Sequence, residues 1–113
     1  MKRGKRIAVD FDGTIHRYSQ GWQGGKLYDP PQDGAIESIE KLWQEGYEVF
    51  IFTTRGHSED EVAKIRDWLL QHNLKPDIAS KIEITNIKKP ALVYIDDRAI
   101  RFTNWNDTLK YFT

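Results

Sequence analysis

The sequence predicts a single-domain α/β fold built on a central parallel sheet. Three short runs of consecutive apolar residues are typical of strands that are buried on both faces, as in parallel sheets. Helical patterns separate these runs, and such alternation favours a layered α/β architecture. A chain of 113 residues with 39% hydrophobic residues suffices for one modest core, so we expect one domain over residues 1–113.

The predicted strands are Ile7–Val9, Val49–Phe52 and Ala91–Ile95, with a weaker strand at Ile82–Ile84. None of the three main runs alternates with polar residues. Each is short and contains Val, Ile or aromatic side chains, which favour strands. We therefore expect all three to be covered on both faces of the sheet.

The first helix is predicted between the first two strands, because apolar residues recur there on one helix face. These residues are Ile36, Ile39, Leu42 and Trp43. Asp33 is the expected N-cap, and Gly46 is the expected stop.

The second helix is predicted to start at the capping box Ser58–Glu61 and to end near Asn73. Its buried stripe consists of Val62, Ile65 and Leu69. A short terminal helix is expected over residues 105–112, docked on the core through Trp105.

Composition excludes several classes of protein. Seventeen basic and 17 acidic residues give a net charge of zero, so electrostatics do not favour non-specific binding to nucleic acid or an anionic membrane. The chain has no cysteine, which excludes disulfides, a thiolate metal site and a cysteine nucleophile. The basic N-terminus is followed by an apolar run too short for a signal peptide, and mean hydropathy is −0.66. We expect a soluble, cytoplasmic domain with no membrane segment.

Polar residues follow each predicted strand at the point where it ends. The first strand runs into Asp10–Thr14, the second into Thr53–Gly56 and the third into Asp96–Arg98. Because crossovers between parallel strands are right-handed, the carboxyl ends of these strands meet at one edge of the sheet. Ligands of open α/β sheets bind at that edge, so the sequence predicts a site there.

The residue types at this predicted site are suited to binding a hard cation and to cleaving a phosphate ester. Asp10, Asp96 and Asp97 would repel one another unless a divalent cation joined them, and oxygen ligands favour Mg²⁺. A carboxylate beside that ion can attack phosphorus to form an aspartyl-phosphate. Asp12, two residues after Asp10, is placed to donate a proton to the leaving oxygen and to take one from water. A hydroxyl from Thr53 and a lysine would hold the phosphoryl oxygens.

These segments resemble the motifs of the haloacid dehalogenase-like phosphohydrolase superfamily. Asp10-Phe11-Asp12-Gly13-Thr14 matches its first motif, Thr53 its second, and Asp96-Asp97 its fourth. The resemblance covers essentially the whole chain and implies a three-layer, Rossmann-like core around a central parallel sheet. It also implies Asp10 as nucleophile, Asp12 as general acid and base, and Mg²⁺ held by Asp10, the Asp12 carbonyl and Asp96, with Asp97 assisting.

The third motif of this superfamily is a lysine upstream of the last strand, and three residues qualify. Lys88 is favoured because Lys-x-Pro-Ala before Tyr-Ile-Asp-Asp-Arg-Ala resembles small phosphatase-like members; Lys89 is second and Lys81 also qualifies. Beside Thr53 and the lysine, Thr54, Arg55 and Lys89 are candidate substrate-binding residues.

Chain length departs from the superfamily pattern, since neither usual insertion point has room for a cap domain. Residues 15–31 provide only a short glycine-rich, hairpin-like flap, in which Tyr18 and Trp22 could contact a base or sugar. The resemblance therefore implies a capless member with an open site, which a homo-oligomer could cover. The substrate class stays open and includes nucleotides and polynucleotide ends, nucleic acid being expected only as substrate.

Two other classes of protein share this residue set. A receiver-like phosphoacceptor also uses an aspartate, an acidic pair, a threonine and a lysine, but its acidic pair follows the first strand. A catalytically silent binding protein on the same fold is the other alternative. Here the middle strand ends in Thr53 and all four motif types are intact, which favours a Mg²⁺-dependent phosphatase.

Overall fold

The computed structural model describes residues 5–113, so the basic residues 1–4 lie outside the described part. Four strands form one sheet: β1 (Arg6–Val9), β2 (Glu48–Phe52), β3 (Glu83–Thr85) and β4 (Val93–Ile95). They are all parallel, in the spatial order β3-β2-β1-β4. The predicted α/β class and parallel sheet are thus confirmed, and the arrangement is compatible with a Rossmann-like fold.

Four helices connect and follow these strands: α1 (Ala35–Gln44), α2 (Glu59–Gln71), α3 (Pro76–Lys81) and α4 (Trp105–Leu109). A 3-10 turn at Thr54–His57 links β2 to α2. The short helix α3, which starts with Pro76 in its first turn, was not predicted. Within residues 5–113, no helix has the length and apolar character needed to cross a membrane.

The strand register aligns the ends of the central strands. Val9 of β1 pairs with Ile51 of β2 on one side and with Ile95 of β4 on the other. The Asp10 N–H continues this ladder by donating to the Ile95 carbonyl over 2.9 Å. The residues after β1 and β4 therefore leave the sheet side by side.

The core lies on the two central strands and the helices packed against them. Ala8, Phe50 and Ile51 are almost completely buried, as parallel strands covered on both faces require. The predicted helix stripes supply the cover, with Ile36 and Ile39 buried on α1. On α2 the buried residues are Ile65, Trp68 and Leu69, while Val62 is partly buried.

The predicted helix caps are confirmed at three positions and wrong at one. Gly46 follows α1 with φ 92°, and Asn73 follows α2 with φ 72°, both in the left-handed region typical of helix ends. The Ser58 hydroxyl accepts from the Glu61 N–H over 3.2 Å and caps α2. Asp33 does not cap α1, because Gly34 occupies that position while Asp33 accepts from Arg17.

The third predicted strand is an exposed edge strand, so the prediction that it is covered on both faces is wrong. Val93, Tyr94 and Ile95 are each more than a third exposed. The reason is that β4 pairs only with β1, and α4, which buries none of its own residues, does not cover it. Trp105 was predicted to dock the last helix; it is instead 67% exposed.

The flap between β1 and α1 starts and ends in short pairings. Gly13 N–H donates to the His16 carbonyl over 2.8 Å, and Arg17 N–H donates to the Pro30 carbonyl over 3.0 Å. Gln32 N–H closes the base by donating to the Ile15 carbonyl over 2.8 Å. These bonds give residues 17–30 the hairpin-like form that the sequence predicts, at the end of β1 where the candidate site lies.

Candidate active site

Three carboxylates from two neighbouring strand ends meet at the carboxyl edge of the sheet. One oxygen from each of Asp10, Asp96 and Asp97 lies within 4.8 Å of the others. Asp10 follows β1 and the other two follow β4, so the strand register itself brings them together. The convergence predicted from the sequence is therefore present.

These carboxylates border a cavity of about 280 Å³. Its lining includes the carboxylates of Asp10, Asp12, Asp96 and Asp97 and the hydroxyl groups of Thr53 and Thr54. Residues that follow β1, β2 and β4 therefore share one cavity, in the order expected from the sequence.

Asp10 carries the strongest electrostatic signature of the site. Its pKa is raised from 3.8 to about 7: burial raises it most, a hydrogen bond from the Phe11 backbone lowers it in part, and the charges of Asp96, Asp97 and Asp12 add to the rise. Without a cation, Asp10 therefore exchanges its proton near neutral pH instead of being fully ionised. A divalent ion would relieve the same repulsion and keep the carboxylate ionised.

The Asp12 carboxylate is held by one donor on each oxygen. Its Oδ1 lies 2.9 Å from His16 Nδ1, and its Oδ2 accepts from Arg55 Nε over 2.7 Å. Both partners are buried, with His16 fully inaccessible and Arg55 only 2% exposed. The carboxylate group is therefore fixed from two sides beside the cavity.

The second ring nitrogen of His16 fixes its tautomer. His16 Nε2 lies 3.1 Å from the Asp29 backbone N–H, a group that can only donate. Nε2 must therefore accept, which places the imidazole proton on Nδ1, where it is donated to Asp12. His16 is not part of the carboxylate triad, and its hydrogen bond to the site is the one to Asp12.

Arg55 joins the end of β2 to the flap. Its Nη1 donates to the Gly25 carbonyl over 2.8 Å, and its guanidinium lies 5.0 Å from the centre of the Trp22 ring. Its Nη2 is buried and has no hydrogen-bond partner among residues 5–113. A buried guanidinium nitrogen without an acceptor is unusual, and both of its N–H groups are left unpaired.

Position 13 requires glycine because of its backbone conformation and because of the neighbouring Asp97 side chain. Its φ of 86° lies in the left-handed region, and a Cβ at this position would lie 2.2 Å from Asp97 Oδ2. The first motif and the acidic pair are therefore in direct contact, and the absent side chain makes room for the Asp97 carboxylate.

Thr53 and Thr54 lie at the end of β2. Thr53 is buried, its hydroxyl oxygen accepts from the Arg55 N–H over 3.2 Å, and its own N–H donates to the Thr85 carbonyl over 2.9 Å. Because a hydroxyl can donate while it accepts, its proton remains available to a ligand. Thr54 is exposed and lines the cavity.

The predicted lysines do not line the cavity. Lys88 Nζ lies 5.0 Å from the centre of the Tyr94 ring, and the Lys89 ammonium pairs with Glu83. The Tyr94 ring packs at 6.4 Å against Phe52, which does line the cavity. Lys88 therefore contacts a ring that packs against a cavity residue, but it does not line the cavity itself.

Tyr18 of the flap and Arg98, which directly follows the acidic pair, also line the cavity. Tyr18 adopts a positive φ of 59°, which is uncommon for a residue with a side chain and found at functional sites. The Arg98 N–H donates to Asp96 Oδ1 over 2.7 Å and helps to orient that carboxylate. The roles of His16 and Arg55 in holding Asp12 were missed, because contacts over a turn and between distant loops leave no periodic pattern.

No family model, curated protein or solved structure matches this chain. The geometry of the site is thus the basis for a functional assignment.

Proposed function

We propose that this protein is a Mg²⁺-dependent phosphatase that hydrolyses phosphomonoesters through an aspartyl-phosphate on Asp10. We further propose that it is a small, capless member of the haloacid dehalogenase-like superfamily. The observation that supports this most strongly is the carboxylate triad of Asp10, Asp96 and Asp97, whose oxygens lie within 4.8 Å of one another beside Asp12.

The donor set fits Mg²⁺. All the candidate ligands are hard oxygen atoms, which Mg²⁺ prefers, and no cysteine exists in the chain to favour a softer metal. The raised pKa of Asp10 reflects burial and negative charges that a cation would offset. Asp10, Asp96 and Asp97 would hold the ion, with the Asp12 carbonyl as a further ligand implied by the family resemblance. When bound, Mg²⁺ neutralises charge on the phosphoryl oxygens and keeps Asp10 ionised.

In the first step, an Asp10 carboxylate oxygen attacks phosphorus as the bond to the leaving oxygen breaks. Asp12 gives a proton to that oxygen, so the product alcohol leaves neutral. The hydrogen bonds from His16 and Arg55 keep Asp12 aligned, while each of its oxygens retains a further lone pair for this transfer.

In the second step, a water molecule attacks the phosphorus of the aspartyl-phosphate and Asp12 takes its proton. The bond between phosphorus and the Asp10 oxygen breaks, which releases inorganic phosphate and restores the carboxylate. Asp12 thus serves first as acid and then as base, and its protonation state is reset in each cycle.

The phosphoryl oxygens require donors, and the Thr53 hydroxyl at the cavity wall has a proton available. Arg55 Nη2 has no partner among residues 5–113, but Arg55 does not line the cavity, so a contact with a phosphoryl oxygen requires its guanidinium to move. Thr54 borders the same cavity. Lys88 remains a proposed phosphate ligand, which requires that its ammonium leave the Tyr94 ring.

The organic part of the substrate meets the flap side of the cavity, where Tyr18 is placed to contact it. An aromatic ring at this position is compatible with a nucleotide or polynucleotide phosphate, which we retain as candidate substrates.

Hydrolysis of p-nitrophenyl phosphate, followed with Mg²⁺ and with a chelator, tests the proposal. Wild-type protein is expected to hydrolyse p-nitrophenyl phosphate only with Mg²⁺. Asp10→Asn is expected to be inactive, with an unchanged circular dichroism spectrum that shows an intact fold. A receiver-like phosphoacceptor would become phosphorylated without repeated hydrolysis of the ester. A silent binding protein would neither become phosphorylated nor hydrolyse it. Retention of most activity in Asp10→Asn would refute the assigned nucleophile.

A further inference from the structure

The C-terminal segment, residues 100–113, carries large apolar side chains that do not join the core. Phe102, Trp105, Tyr111 and Phe112 are between 55% and 73% exposed, and α4 buries none of its residues. Phe102 packs against Trp105, and together with Leu109 and Phe112 these side chains present roughly 500 Å² of surface, close to the largest apolar patch of a typical monomer. Such a surface indicates a binding partner.

Trp105, Leu109 and Phe112 of this segment share one side of the helical turn. Trp105 and Leu109 are four residues apart on α4 and therefore face the same way. Phe112 N–H donates to the Leu109 carbonyl over 3.0 Å, a tight turn in which residues three apart eclipse. Trp105, Leu109 and Phe112 thus form one continuous apolar face.

A second unfilled apolar surface lies between α1 and the β4 side of the sheet. This α1–β4 groove has a volume of about 220 Å³. Its apolar lining consists of Val9, Ile15, Ile39, Leu42 and Ile95. Ile95 is 42% exposed, although strands of parallel sheets are normally covered by helices on both faces. The groove is therefore suited to receive an apolar helical face.

We propose that the C-terminal segment of one copy of this protein docks in the α1–β4 groove of a second copy, and that the exchange is reciprocal. One two-fold association covers both surfaces on both chains and leaves neither surface open for further addition.

The size and charge of the surfaces support a second copy as the occupant. Phe102, Trp105, Leu109 and Phe112 together with the apolar walls of the groove offer area on the order of the ~800 Å² that each partner contributes to a standard interface. The net charge of the chain is zero, so two copies approach without long-range repulsion.

The oligomeric state of the full chain tests this association without reference to enzymatic activity. Sedimentation velocity and light scattering of the wild type are expected to give twice the monomer mass of 13.3 kDa. Leu109→Glu charges the apolar face and Ser38→Arg fills the rim of the groove at an exposed position of α1; each is expected to give monomers. Leu70→Glu, at an exposed leucine of α2, is the matched control and is expected to stay dimeric.

Cysteine cross-linking distinguishes exchange between copies from docking within one chain. The natural chain has no cysteine, so a Ser38→Cys/Thr108→Cys variant reports only this contact. On mild oxidation we expect a covalent dimer that reducing agent separates, whereas Leu70→Cys/Thr108→Cys keeps free thiols. A monomer without free thiols would show docking within one chain, and a monomer with free thiols would show no docking; either overturns the proposal. A wild-type monomer, or a dimer that survives both Leu109→Glu and Ser38→Arg, would also overturn it.

Discussion

Arg55 Nε lies 2.7 Å from Asp12 Oδ2, although the two residues are 43 positions apart in the chain. Asp12 belongs to the loop after β1 and Arg55 to the turn after β2, so this ion pair connects two of the strand ends that form the cavity. The same guanidinium reaches the flap through the Gly25 carbonyl. Arg55 therefore sets the position of the proposed acid and base relative to the rest of the site.

Arg55→Lys is expected to lower kcat more than it raises KM. A lysine cannot serve Asp12 and the Gly25 carbonyl at once, because it lacks the planar fork of arginine. A misplaced catalytic group costs about 10²-fold in rate, which sets the expected size of the effect. Steady-state kinetics with p-nitrophenyl phosphate measure it, and Arg101→Lys, at an exposed position, is the control. Wild-type kinetics in Arg55→Lys would show that the ion pair has no role in turnover.

His16→Phe is expected to keep the ring packing of His16 and to remove its hydrogen bonds, so that their separate contributions can be measured. The His16 ring contacts the rings of Phe11, Tyr28 and Trp68 at 5.2–5.5 Å, and phenylalanine retains an aromatic ring there. The bonds to Asp12 and to the Asp29 N–H are lost, which costs about 1–3 kcal/mol of stability for the groups left unpaired. We expect a lower midpoint of urea denaturation and a fall in kcat. An unchanged kcat would contradict a positioning role for His16.

Gly13→Ala is expected to weaken Mg²⁺ binding by about tenfold or more, the usual effect of disturbing groups that orient a metal ligand. The added methyl group would collide with the Asp97 carboxylate, 2.2 Å away, and displace it. Gly34→Ala is the matched control, since Gly34 also has a positive φ, 79°, but open space around its Cβ position. Both variants lose stability through the backbone, yet only Gly13→Ala should lose affinity in isothermal titration with Mg²⁺. Equal affinities for Mg²⁺ in the two variants would show that Asp97 is not part of the metal site.

The raised pKa of Asp10 predicts a pH dependence of stability when Mg²⁺ is removed by a chelator. The folded state binds the Asp10 proton more tightly than the unfolded state, because its pKa is about 7 in the fold against an ordinary 3.8. This contribution to stability is fully present below pH ~4 and is lost as the pH rises through about 7. Urea denaturation measures the free energy of unfolding of the wild type and of Asp10→Asn at pH values between about 4 and 7. The difference between the two proteins gives the contribution of Asp10.

Wild-type protein should lose stability relative to Asp10→Asn as the pH rises towards neutral, and saturating Mg²⁺ should remove that trend. A constant difference between the two proteins across this pH range would mean that Asp10 titrates normally.

The central part of the fold could be predicted because its signals are local. The continuous apolar runs of β1 and β2 and the helix stripe containing Ile36 and Ile39 follow directly from periodicity, and the structure confirms them. The meeting of the strand ends followed from the handedness of parallel crossovers. The exposure of β4 at the edge of the sheet could not be predicted, because an apolar run indicates a strand but not which elements pack against it.

Side-chain positions within the site were less predictable. The bonds from His16 and Arg55 to Asp12 depend on the course of the flap, which has no regular pattern. The placement of Lys88 over Tyr94 likewise depends on an aromatic contact and not on spacing along the chain. Motif residues at strand ends were located by topology, whereas residues on the intervening loops were not.

Detection of a phosphorylated enzyme tests the central claim most directly. p-Nitrophenol leaves readily without a proton donor, so Asp12→Asn should still be phosphorylated with Mg²⁺ but should hydrolyse the aspartyl-phosphate slowly. Mass spectrometry after acid quenching is then expected to find phosphate on Asp10 in Asp12→Asn and none in the double variant Asp10→Asn/Asp12→Asn. Phosphate on another residue, or turnover by the wild type with no phosphorylated Asp10 in Asp12→Asn, would contradict the account.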